Sequence, residues 1–531
     1  MKKVLKKIGI ILGIILGVLL FVGFVGFTYL VLVPNSSLLG ITYITNKSAK
    51  YYQLGEYDVY TKPINQISIQ TNKYSVKFVV DKDATNLQVY MKNDVAGFVK
   101  KSKSSTNIEY SYDFVNKILD IKTKEISGLV GYGISFIEVI TPQNILTQNL
   151  VLKINVGGDA YVDVGGMSGT KIDTLSIYSW HGAINIDNIE MRALNICSSK
   201  SKIVVGENVG ESIEHVKLDT GNSSVSFLKA GGGEKEIENA KKEKRTINKD
   251  DVKFNIVKME ITGMSKDGCL QLIKCDELCS TGYPIKRING GSIECFYVAS
   301  LIQFSTSNCD ISVNEIGGSQ NSIYDANGNG NFRLTNVVNG GITAYSDSGN
   351  ISINQLLEVG DFKTNSGNIT IKNASKSLQL ISQSGNINVK FGDDVSEFLG
   401  DSNPYRRISL LRVKNSKVNI SGLNVINAVV ENGGKADIKL SYQKVLGENN
   451  FDIKSANLLA IVPKDCPLKI NVDTINTMFN CHVGSATYPM SNLTGKYEKI
   501  VYTLLTIVDG SLNINANSGS VSLYSDDVYG A

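Results

Sequence analysis

Histidines, cysteines and one run of asparagine and aspartate are the residues of this 531-residue chain with the most obvious capacity for chemistry. His181, His215 and His482 are its only histidines and are scattered over about 300 residues. None belongs to a Ser/His/Asp-like signature, so each reads as a structural histidine rather than a base. No phosphate-cradling glycine loop and no zinc-protease motif occurs. The stretch DANGNGNF sets Asp325, Asn327 and Asn329 at alternate positions with Gly330 sixth, as a calcium loop would. Its twelfth position is Asn336 where such a loop needs a bidentate glutamate, and a polar corner made of Asn and Gly accounts for the same residues. No metal and no cofactor are expected.

Cys269, Cys275, Cys279, Cys295 and Cys309 crowd 41 residues, while Cys197, Cys466 and Cys481 stand apart. Outside a cell an even number permits disulfides, with Cys466–Cys481 and Cys275 with Cys279 or Cys269 as candidate pairs. Buried thiols are a second reading. A zinc site on Cys269, Cys275 and Cys279 is a third, but it lacks a fourth ligand and the usual two-residue gaps.

Glycan-cleaving chemistry needs carboxylates gathered with a basic residue. Whether they gather depends on how the chain is wound, and the winding is written in a repeat. Ser-Gly-Asn recurs with Gly349, Gly367 and Gly385 at intervals of 18 residues. After each comes strict apolar–polar alternation: Ile351 and Ile353, Ile369 and Ile371, Ile387 and Val389. That is the pattern of strands with one buried face. A second alternating stretch lies nine residues upstream of each (Ile342/Ala344, Gly360/Phe362, Leu378/Leu380), so each unit holds two short strands and two turns. The C-terminal GSLNINANSGSVSLYSDD shows the nine-residue half alone, and Lys417 and Lys435 extend the 18-residue count.

Self-similarity at a fixed short period predicts a parallel β-solenoid, with equivalent residues stacked in ladders. Ile351, Ile353, Ile369, Ile371, Ile387 and Val389 are the expected stacked core. Gly349, Gly367 and Gly385 are expected at positive φ in the turns, beside an asparagine ladder of Asn350, Asn368 and Asn386. A helix of hexapeptides also fits 18 residues, but Lys363 and Ser375 occupy slots that should be aliphatic. A β-sandwich is the other alternative. Outward positions carry Ser, Thr and Asn, with Asp347 opposite Asn365 and Gln383, so catalysis is not expected.

The chain starts with Lys2, Lys3, Lys6 and Lys7 and then runs without a charge from Ile8 to Val33. As a helix those residues span about 39 Å, more than the roughly 30 Å of bilayer hydrocarbon. The run is too long for a signal-peptide core and has no small-residue cleavage site, so it reads as an uncleaved anchor. The leading lysines put the N-terminus in the cytoplasm and the remainder outside. Gly9, Gly13 and Gly17 line one face, a spacing that suits self-association of the helix. Of 54 basic residues four precede the span, leaving 50 against 50 acidic ones. So balanced an exterior has no electrostatic claim on nucleic acid.

The boundaries expected are a basic tail 1–7, a transmembrane helix 8–33, a juxtamembrane linker 34–63 and a first solenoid block with leading strands 64–229. A charged insert 230–252 and a second block 253–531, with a protruding insert 392–408, complete the chain. The anchor, the strand-rich lead-in ending ITPQNILTQNLVLKINVGGDAYVDV and the serial SGNI coils together resemble the bacterial putative-adhesin solenoids, over most of Ile64–Asp526. The resemblance implies a surface-exposed single-pass protein linked to adhesion, with no catalytic residues to carry over. The function expected is therefore a non-catalytic cell-surface scaffold contacting glycans or envelope polymers. The alternatives are a carbohydrate-active enzyme on the same scaffold and a structural or regulatory envelope component.

Overall fold

A computed structural model describes residues 2–33, 37–38, 41–44, 51–57, 64–71, 74–100, 108–123, 128–146, 149–167, 169–206, 209, 213–227, 242, 256–264, 269–280, 288, 290–302, 304–326, 328–392, 406–501 and 508–529. The chain is mostly β with one N-terminal apolar helix. It divides into two units, Met1–Ile213 and Glu214–Ala531. That division falls upstream of the charged insert expected at 230–252, which apart from Lys242 lies outside the described residues.

In the first unit the helix Lys2–Leu32 includes a stretch, Lys6–Leu30, long and apolar enough to cross a membrane. Gly9, Gly13 and Gly17 lie on its open surface, where an added Cβ would meet nothing within 4 Å. The segment expected to be a linker, 34–63, instead contains strands Ser37–Leu38, Ile41–Ile44 and Tyr51–Tyr57. The last two pair antiparallel with Leu87–Lys100. Val151–Gly165 pairs in parallel with Gln66–Thr71 through its first half and with Ser75–Asp81 through its second. On its other side follow Lys171–Asp187 and Glu190–Val205, also parallel, so that Ile154, Ile177 and Ile196 align and Val162, Ile184 and Ile203 align. All six are buried. Antiparallel pairing also joins Ile108–Asp113 to Ile118–Thr123 and Leu87–Lys100 to Gly128–Pro142.

In the second unit each strand of the repeat pairs in parallel with the strand two along, giving two columns. One column runs Asp310–Ile316, Phe332–Val337, Ile351–Leu356, Ile369–Ala374, Ile387–Phe391, Lys417–Leu423 and Asp437–Tyr442. The other runs Ser322–Ala326, Ile342–Ser346, Gly360–Thr364, Leu378–Ser382, Arg407–Val413 and Val425–Val430. Ile351 pairs with Ile369 and Ile369 with Ile387; Ile353, Ile371 and Val389 do the same, and all six are buried. Burying an aliphatic side chain of this size is worth about 1.5–3 kcal/mol, so each layer adds several such increments.

The 18-residue count is not kept throughout. Lys417 pairs with Asp437, 20 residues on, and not with Lys435, because the turn Glu431–Gly434 is longer. The insert expected at 392–408 is narrower than its composition suggested: Ile408 already pairs with Leu378, and both Ile408 and Arg406 are buried. The Arg406 guanidinium donates to the Gly392 carbonyl at 2.8 Å; residues 393–405 lie outside the described residues.

At the C-terminal end the columns merge into longer strands bent near the middle. Gly447–Val462 accepts Gly510–Ser525 as its parallel neighbour, and Leu468–Val483 pairs in parallel on the other side of that last strand. Ala486–Val501 then closes the edge antiparallel to Leu468–Val483. The final strand thus lies between two that precede it, and its two halves, offset by nine residues, belong to one 16-residue element bent at Ser518, φ +63°.

Candidate ligand-binding groove

The residues singled out by the repeat form a continuous structural ladder. Asn350 Nδ2 donates to Asn331 Oδ1 at 3.1 Å and Asn368 Nδ2 to Asn350 Oδ1 at 2.9 Å. The Asn386 backbone N–H donates to Asn368 Oδ1 at 2.9 Å. The row starts one layer earlier than the tripeptide, where Asn331 Nδ2 reaches Asp310 Oδ1 at 3.0 Å. The glycines require a correction. None of Gly349, Gly367 and Gly385 has the left-handed backbone expected of a turn glycine. They are glycine because the layers touch there: a Cβ on Gly367 would lie 2.0 Å from the Gly349 carbonyl oxygen, and one on Gly385 1.8 Å from that of Gly367.

Among the described residues the other candidates for chemistry form no metal-binding cluster. His181 Nδ1 sits 2.8 Å from Asp159 Oδ1 at an exposed position, and His482 stacks on Tyr524 with centroids 5.8 Å apart. Asp325 is a strand residue in register with Tyr345. Cys466 and Cys481, a candidate disulfide pair, are separate buried thiols, as the second reading has them. Burial pushes the thiols of Cys295 and Cys309 up to about 12. The Cys275 thiol donates to the Glu277 carbonyl at 2.8 Å.

A concavity of about 770 Å³ lies elsewhere, over the first halves of the bent C-terminal strands. Strand alternation builds it. Ala428, Phe451, Val472 and Ile514 point into the core and are buried. Their neighbours point out in two rows across five strands. Asn427, Asn450, Asn513, Asn471 and Glu498 form one row, and Val429, Asp452, Asn515, Asp473 and Lys496 the other. The amides are polarised in one direction: Asn471 donates to Asn513 at 2.8 Å, Asn513 to Asn450 at 3.0 Å and Asn450 to Asn427 at 3.2 Å. The Oδ1 of Asn471, where this chain of donors begins, is buried and meets no donor. Lys469 pairs with Glu498 at 2.8 Å at one border, and Lys496 lies 3.8 Å from Asp473 at the other. Three carboxylates against two lysines leave the lining with a net negative charge.

Fixed amides and carboxylates on rigid strands suit recognition of a hydroxyl-rich or cationic ligand. The local sequence signal is Asn-apolar-Asp/Asn in NFD, NVD and NIN (450–452, 471–473 and 513–515). Chain order hides the groove, because the strand holding Asn513 is inserted between those holding Asn450 and Asn471.

No family model and no curated protein matches the chain. Among solved structures it is similar to one described as a putative cell adhesion protein from Clostridium sporogenes. Identity is 8%, TM-score 0.18, covering 90% of this chain and 100% of that one. A second, described as a putative adhesin from Parabacteroides distasonis, shows 8% identity and a TM-score of 0.16 over 90% and 98% of the two chains. Likeness at this level carries no argument about fold or function.

Proposed function

We propose that this chain is a membrane-anchored, extracytoplasmic β-solenoid acting as a non-catalytic cell-surface adhesion scaffold for glycans or envelope polymers. The winding is supported by parallel pairing of every second strand and by ladders that repeat from layer to layer. The anchor, with its N-terminus in the cytoplasm, is supported by the apolar stretch Lys6–Leu30 and the lysines that lead it. The observation that carries the binding role is the groove of about 770 Å³ with its two polar rows. Its directed amide chain leaves donors and acceptors fixed in place.

The test is a glycan array probed with the full-length chain in detergent, alongside membrane extraction. Binding to neutral or amino-sugar glycans is expected, weakened about tenfold by Asn450→Ala or Asp452→Ala, with the chain retained in membranes after alkaline washing. No binding to any glycan, together with unchanged attachment of a deletion strain, would overturn the adhesive role.

One observation favours a glycan-cleaving second reading. Asp452 and Asp473 flank Asn515, two strand spacings or about 10 Å apart, near the spread of an inverting acid–base pair. Release of reducing ends from cell-wall polysaccharide, lost in Asp452→Asn and Asp473→Asn, would establish that reading instead.

A further inference from the structure

The strands under the groove turn at Ser455, Asn476 and Ser518, all at positive φ, and beyond the turn lies a second concavity of about 490 Å³. Two tyrosines stand in its wall. Asn480 Nδ2 donates to the Tyr524 hydroxyl at 2.6 Å and fixes that ring, and Tyr529 stands 5.9 Å away, tilted by 53°. Tyr529 is 40% exposed, and the Lys439 ammonium lies 5.0 Å from its ring centroid. Lys417 is the second cation in the lining. Asp437, the lone carboxylate there among the described residues, is engaged by the Asn457 amide at 2.7 Å, whereas neither lysine takes part in an ion pair with a described residue. This concavity is therefore cationic where the first groove is acidic.

We propose that it is a subsite for an anionic sugar of the uronic acid class, resting on the glycan-binding role proposed above. The apolar face of the pyranose would lie against Tyr529 and the edge of Tyr524, which offer apolar area with polar tips. The sugar carboxylate would meet Lys439 and Lys417 through charge-assisted hydrogen bonds. Lys439, held over the tyrosine by a cation–π contact, needs little reorganisation to do so. With one subsite of each charge sign, the molecule would grip a mixed envelope polymer at two chemically distinct points.

Titration calorimetry on the full-length chain in detergent tests this with oligogalacturonate, a neutral maltooligosaccharide, a sulfated oligosaccharide and inorganic phosphate. Oligogalacturonate is expected to bind and to weaken with added salt. Lys439→Gln and Tyr529→Ala should each weaken it about tenfold, while Tyr529→Phe and the first-groove variant Asn450→Ala leave it unchanged. Thermal melting of each variant checks the fold. Equal binding of the neutral sugar, competition by phosphate alone, preference for the sulfated sugar, or indifference to both folded variants would overturn the assignment. If the chain binds neutral glycans through the first groove but no uronate, this inference falls and the adhesive role stands. If no glycan binds and a deletion strain attaches as before, the adhesive role falls with it.

Discussion

Gly367 and Gly433 are both glycine for different physical reasons, and the difference is measurable. Gly433 has a left-handed φ of +74° with nothing within 4 Å of an added Cβ. Gly367 has an ordinary backbone but sits against the layer below. Gly433→Asn should therefore cost less than about 1 kcal/mol, since asparagine tolerates that conformation. Gly367→Ala should cost about 2–3 kcal/mol, because backbone cannot move aside as a flexible side chain can. Urea unfolding of the two variants checks the order; equal costs would contradict it. At this scale the sequence showed where glycine is needed but not why. A periodic Ser-Gly-Asn looks the same whether the glycine turns the chain or lets two layers touch. The asparagines were more legible, because a side chain that can both donate and accept builds a ladder whenever it repeats at the layer interval.

Between elements, cross-strand pairs tie neighbouring layers together. Arg192 grips Asp173 on the adjacent strand with Nε at 2.8 Å and Nη2 at 3.2 Å. The hydrogen bond from Arg192 holds the Asp173 carboxyl below its ordinary value. A carboxylate whose pKa is lowered by folding stabilises the folded state above its unfolded value, about 3.9, and loses that contribution as pH falls through the folded one. For a partly exposed pair the effect is about 0.5–1 kcal/mol. Asp173→Asn should accordingly melt below the parent at pH 7, and the two should converge as the pH drops to about 2. A constant gap down to that pH would show that the pair contributes nothing through its charge. Strand alternation made most such elements readable from sequence. Strand order was not: a count of residues gives the interval between layers but cannot show that Gly510–Ser525 slips between Gly447–Val462 and Leu468–Val483. The groove, which depends on that insertion, was hidden for the same reason.

The whole molecule was read unevenly. The N-terminal helix was plain, since an uncharged run from Ile8 to Val33 allows few other structures. The lead-in was less so. The strands Ile41–Ile44 and Tyr51–Tyr57 pair with Leu87–Lys100, far along the chain, and no local period announces a partner at that distance. The end of the insert expected at 392–408 was placed slightly late, since the strand Arg407–Val413 has already begun there; charge and glycine content mark a break in the repeat without fixing where the next strand resumes.

Stacking of the repeat in parallel and in register underlies both grooves and the proposed scaffold, and disulfide trapping tests it most directly. Thr370 pairs with Asn388, and Asn388 with Asn419 one layer on. In the full-length protein, cysteines at 370 and 388 should stand about 4.8 Å apart at Cα, within the range a disulfide closes, and link under mild oxidation. Cysteines at 370 and 419, about 10 Å apart, should stay reduced. Closure of the 370–419 pair, or failure of the 370–388 pair in a folded protein, would contradict the stacked arrangement.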